Sequence, residues 1–219
     1  MNPARGSTRL LLGSGVAAGP LYVLVGAIQM LTRQGFDPQR HALSLMSNGD
    51  LGWIQVANFG LSGLLVIFGA IGIRRVLHPG RAGTWGPLLL GVYGLSLIGA
   101  GIFVADPMDG FPVGTPPGPP VIITQHGMLH FVTGGIGFFA LIAACLVFAR
   151  RFFKGGERGW ALWSAATGVG FFAGFAWIGS GSKAPAVILT FTAVVVLAWV
   201  WLSALMAKFL SEQGIGDRK

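Results

Sequence analysis

Six stretches of about twenty mostly apolar residues leave this chain very few folds to choose from. They run over 10–31, 53–73, 85–105, 122–149, 160–178 and 185–205. In hydrocarbon a backbone amide finds no water, so a spanning segment must satisfy its own hydrogen bonds, and an α-helix does so. The sequence therefore predicts an all-α integral membrane bundle of six transmembrane helices, a single domain over 1–219. Trp53, Trp85 and Trp160 each open a run, where an indole ring suits the headgroup boundary. Only 10% of the residues are charged, against roughly a quarter in a soluble domain. So few charges cannot cover a surface that faces water. The first run is longer than the ~7–15 apolar residues of a signal peptide and is expected to be a membrane helix.

The basic residues set the expected orientation. Arg5 and Arg9 precede the first run, and Arg74, Arg75 and Arg81 follow the second. Arg150, Arg151, Lys154 and Arg158 follow the fourth, and Lys208, Arg218 and Lys219 follow the sixth. The other side keeps only Arg33, Arg40 and Lys183. The positive side is expected to be cytoplasmic, which places both termini in the cytoplasm of a bacterial cell membrane. Charge arranged this way reads as contact with membrane lipids and not with nucleic acid. Cys145 is the only cysteine, so no internal disulfide can form.

Two connections on the expected outer side are elaborate. In the loop 32–52, Asp37-Pro38 reads as a helix start, and Leu43, Leu45 and Met46 predict a short half-apolar helix lying on the outer membrane face. The loop 106–120 is so rich in proline and glycine that it is expected to be a stiff, ordered loop. Gly15 and Gly19, Gly170 and Gly174, and the group Gly134, Gly135 and Gly137 predict close helix packing.

The candidate chemistry collects on that outer side. His126 and His130 are four apart, which stacks them on one helix face. Two imidazoles so placed can share a divalent metal if Asp106 or another group completes the set. Ionisable groups at membrane depth are costly and tend to face a cavity or a partner. His41, Gln55, Asn58, Asp106, Asp109, His126 and His130 are therefore expected to build an outward-facing polar pocket, with Gln29, Ser96 and Thr133 as further buried polar groups. Interhelical hydrogen bonding is the plain alternative for the amides. No lysine lies mid-helix to form a retinal-type Schiff base, and no phosphate-binding glycine loop or Gly-x-Ser-x-Gly elbow occurs.

Phe36-Asp37-Pro38, Arg40-His41, Gly52-Trp53-Ile54-Gln55, Asn58-Phe59, Ala105-Asp106-Pro107, Gly110-Phe111-Pro112, His126-Gly127 and Leu129-His130 fall in a pattern that resembles the bacterial membrane family catalogued as "domain of unknown function 998". The resemblance covers nearly the whole chain and implies a multi-span membrane protein with no assigned activity. The His-x-x-x-His spacing is also similar to that of alkaline-ceramidase-like membrane hydrolases. Those have seven spans and a Ser-x-x-x-His motif that this chain lacks.

The leading expectation is a pocket for a small or lipid-like ligand, in a receptor, sensor or accessory subunit. The alternatives are a hydrolase of the outer leaflet, with His126, His130 and Asp106 holding Zn²⁺, and a structural scaffold.

Overall fold

The computed structural model describes residues 3–182 and 184–215, with side chains described for 5–182 and 184–213. Lys183, Arg218 and Lys219, which enter the charge argument, lie outside the described residues. Six helices form: α1 (Pro3–Thr32), α2 (Gly52–Leu77), α3 (Arg81–Ile102), α4 (Gln125–Lys154), α5 (Arg158–Gly179) and α6 (Pro185–Ile215). All six are long and apolar enough to cross a membrane. The chain is thus an all-α, multi-pass membrane protein.

Each helix packs on its neighbours in sequence, and α1 also packs on α6, so the six close into a ring. The outer wall is apolar, as lipid requires. Leu10, Leu24, Ile28, Phe139, Val169 and Leu197 are all exposed there. At the end that carries most of the arginines, here the basic end, the large side chains of Phe148, Phe152, Trp201 and Phe209 are fully buried. Lys208 crosses that end to Glu157 (2.5 Å) and pairs along its own helix with Glu212 (2.9 Å).

Glycine lets the helices come together. A Cβ on Gly63 would stand 2.5 Å from the Gly94 carbonyl oxygen, and one on Gly94 would stand 2.7 Å from that of Gly63. The α2–α3 crossing is therefore backbone on backbone, a contact the spacing of glycines within one helix does not reveal. Of the expected packing glycines, Gly15 meets Gly69 and Met206, Gly19 meets Trp199 and Ser203, Gly137 meets Ser96, and Gly174 meets Val194. Gly134, Gly135 and Gly170 have open space where a side chain would stand.

The opposite end, here the loop end, differs from expectation in three places. The chain leaves α3 at Ile102, before the apolar run ends, and α4 begins only at Gln125. Asp37-Pro38 makes a single turn, with the Asp37 carboxylate accepting from Gln39 N–H at 2.9 Å. The short helix that follows is a 3₁₀ helix, Leu43–Ser47, and it turns its apolar side chains into the protein rather than outward. Its Leu45, Met46 and Ser47 are buried, because the apolar side chains find a better seat in the end of the ring than at a headgroup boundary. The loop 106–120 is laced by its own backbone hydrogen bonds. Met108 and Phe111 exchange backbone hydrogen bonds, and Asp109 N–H reaches across to the Gly118 carbonyl at 2.8 Å. Phe111 is fully buried beneath it.

Candidate functional site

Polar side chains at the loop end divide into those that tie the loops together and those that face a space. Arg33, just past α1, is the centre of the first group. Its guanidinium donates to the Met46 carbonyl (2.9 Å), the Asn48 carbonyl (2.5 Å) and Gln29 Oε1 (3.3 Å). It also lies over the Phe111 ring at 5.3 Å. Burial draws its pKa below the usual guanidinium value, and the charge of Asp50 opposes that shift. One side chain thus joins α1, the 3₁₀ helix and the proline-rich loop.

His41 makes the second tie. Its Nδ1 accepts the Asp37 N–H at 2.9 Å, so the proton sits on Nε2, which donates to the Asp109 carbonyl at 3.0 Å. The ring is buried between Phe36 and Phe111, with centroids 5.4 and 5.5 Å away. Both ring nitrogens are occupied, and Asp109 contributes its backbone to this contact.

Asp106 makes the third. Its carboxylate accepts from Thr124 N–H (3.0 Å) and Thr124 Oγ–H (2.6 Å). Thr124 in turn caps α4 by accepting Gly127 N–H at 3.0 Å. A negative charge against the first turn of a helix is favourable, because the unpaired N–H groups there carry partial positive charge. Gly127 has to be glycine, because any Cβ would overlap the Asp106 carboxylate.

The buried amides form a ladder between α1 and α2. Gln29 Nε2 donates to Gln55 Oε1 (2.8 Å), and Asn58 Nδ2 donates to Gln55 Oε1 (3.3 Å) and the Tyr22 carbonyl (3.2 Å). Ser96 and Thr133 donate to carbonyls of their own helices. These contacts have the character of interhelical and local hydrogen bonding.

The histidine pair is unequal. His126 is exposed and sets its ring edge-on to Phe103, at 5.7 Å. His130 is buried, and its Nδ1 lies 2.7 Å from the Phe103 carbonyl and 3.2 Å from the Ala100 carbonyl. Both partners only accept, so Nδ1 carries the proton and satisfies carbonyls left open at the C-terminus of α3. Its Nε2 then has a free lone pair and no partner among the described residues. No three side chains of His, Cys, Asp or Glu come together as a metal set among the described residues. Asp106 is committed to Thr124 and His41 to the loops.

The second group of side chains faces a cavity of about 210 Å³ inside the loop-end half of the ring. Every helix contributes: Tyr22, Phe59, Tyr93, His130, Phe175 and Phe191 among others, with Ala42–Ser44 of the loop also present. His130 is the member of the expected pocket set that lines it. Gly134, Gly135 and Gly179 also line it, and an added Cβ would meet nothing at any of the three. The walls are aromatic and aliphatic, with Ser44, Ser96, Thr192 and His130 as scattered polar points. The sequence points to this space through His130 and through the glycines of the fourth span, which spacing alone assigns to helix packing.

The family model described as "Protein of unknown function (DUF998)" matches residues 16–208 of the chain. No curated protein and no solved structure gives a significant match.

Replacing Asp106 by Ala leaves Thr124 without its acceptor and strips a charge-assisted pair from the α4 cap. A loss of about 2–3 kcal/mol is expected, read as a lowered Tm in detergent. His126→Ala, at an exposed ring, is expected to change stability by no more than about 0.5 kcal/mol. Equal Tm values for the two variants would remove the structural role assigned to Asp106.

Proposed function

We propose that this chain, which belongs to the DUF998 family of proteins of unknown function, binds a single-chain amphiphile in the cavity of its loop-end half. One observation carries the reading: all six helices and the 3₁₀ loop converge on a space that three glycines keep open. Apolar cavities of about 150 Å³ already admit a small ring compound, so 210 Å³ accepts the end of an alkyl or isoprenoid tail. The apolar wall supplies the driving force, and the scattered polar atoms fix orientation. His130 Nε2 is the acceptor suited to a hydroxyl or protonated carboxyl on the ligand. The ligand-binding role accords with a receptor, a sensor or the accessory subunit of a larger assembly. For the zinc-hydrolase alternative, no third His, Cys, Asp or Glu joins His126 and His130 among the described residues.

We further infer that the loop end faces outward and that the termini lie in the cytoplasm. The support is the concentration of Arg74, Arg75, Arg81, Arg150, Arg151, Lys154 and Arg158 at the opposite end. A cysteine placed at Thr115 is expected to react with a membrane-impermeant maleimide in intact cells, and one at Gly156 only after lysis. The reverse pattern would invert the topology.

The cavity itself is tested by filling it. In nanodiscs, dodecanol or dodecanoate at saturating concentration is expected to raise the Tm of the native protein, since a ligand at a hundred times its Kd adds about 2.7 kcal/mol. Gly134→Leu and Gly135→Leu place side chains into open space, so they should fold normally and lose most of that shift. An equal ligand-induced shift in both variants would contradict binding at this site. No shift in the native protein with either probe would contradict the proposed ligand class.

A further inference from the structure

A second concave site lies at the other end of the molecule, on the lipid-facing side, between α4 and α5 near the turn that joins them. It is a groove of about 460 Å³ walled by Ala149, Phe153, Ala161, Leu162 and Ala165, with Arg150 and Arg158 on its rim. The alanines make it concave: larger side chains there would close the seam between the helices. The two arginines approach it from different helices. Arg150 stands one turn before the end of α4, and Arg158 opens α5.

Neither guanidinium has a hydrogen-bond or ion-pair partner among the described residues. The nearby carboxylate of Glu157 is bound to Lys208, which also holds Glu212. Arg151, next in sequence, is turned the other way, over the ring of Phe209 at 5.9 Å. Lys154 lies one turn beyond Arg150 and adds to the local positive charge. Two forked donors are thus left at the mouth of a groove whose walls are entirely apolar. That combination complements one kind of molecule, with an anionic head that accepts from guanidinium and a hydrocarbon tail that fills the seam. Ala165 lies seven residues along α5 from Arg158, roughly 10 Å at 1.5 Å per residue. The groove therefore runs from the headgroup level into the hydrocarbon.

We propose that this groove binds one anionic phospholipid, its phosphate between Arg150 and Arg158 and an acyl chain laid over Ala149, Ala161 and Ala165. The site is independent of the loop-end cavity. The lipid seals the seam between α4 and α5, and its phosphate accepts from two guanidiniums that the protein leaves without partners.

Native mass spectrometry of the full chain in detergent, supplied with equimolar phosphatidylglycerol and phosphatidylcholine, tests this. The intact protein is expected to retain phosphatidylglycerol over phosphatidylcholine by roughly tenfold or more. Arg150→Gln with Arg158→Gln should abolish that preference. Arg74→Gln with Arg81→Gln removes the same charge from the same end and should preserve it. Ala165→Phe fills the groove without changing charge and should also lower retention several-fold. Equal loss in the Arg74/Arg81 variant would mean that unspecific charge holds the lipid, and would overturn the site. Undiminished retention in the Arg150/Arg158 variant or in Ala165→Phe would overturn it as well.

Discussion

A bilayer interior offers no water to a polar group, so each amide, carbonyl and charge at membrane depth must find its partner inside the chain. The helices meet this demand along their lengths. Their ends do not, since the first N–H groups and last carbonyls of a helix have no intrahelical partner. At the loop end the side chains supply what the helices lack. His130 closes the open carbonyls of α3. Asp106 and Thr124 close the N-terminus of α4. Arg33 collects carbonyls at the C-terminal end of the 3₁₀ helix, and His41 fastens the first loop to the second.

These ties have a consequence for packing. They hold the loops as a plate across one end of the ring, anchored by Phe111 in its aromatic nest. The basic half needs no such plate, because Phe148, Phe152, Trp201 and Phe209 bury their large side chains there. The loop-end half is spanned and not filled, and the glycines on α4 leave the space open. Closure above and missing side chains within together leave a cavity in this half of the ring. That division also separates the two proposed ligands. One enters the ring beneath the plate, and the other lies outside it against the basic end.

The architecture was legible in the sequence because hydropathy and charge are local signals. Six apolar runs and their basic flanks give six helices with no knowledge of what touches what. The 3₁₀ helix shows where that stops. Leu43, Leu45 and Met46 announce a half-apolar segment, but its burial in the bundle rather than on the membrane depends on a tertiary seat. The site was legible at the level of region and less so at the level of role. The sequence places His41, Asp106, Asp109, His126 and His130 at one end together, and their residue types explain why they are there. Their partners are another matter. His41 meets a carbonyl 68 residues away, and no periodicity encodes such a pairing. Arg33 counts in the sequence as an exception to the charge rule, and that exception was the available sign that it does something specific. Gly134 and Gly135 carried the opposite difficulty: glycine that admits a neighbouring helix and glycine that leaves a void look alike in a sequence.

The central claim is that the space between Tyr22, Tyr93 and His130 is an occupied binding site rather than a packing defect. An electron cryomicroscopy map of the protein in nanodiscs made from its native lipids tests it most directly. The account predicts elongated non-protein density along the cavity, with its polar end within hydrogen-bonding distance of His130. A collapsed space, with the Phe138 and Phe175 rings closed over Gly134 and Gly135, would contradict it.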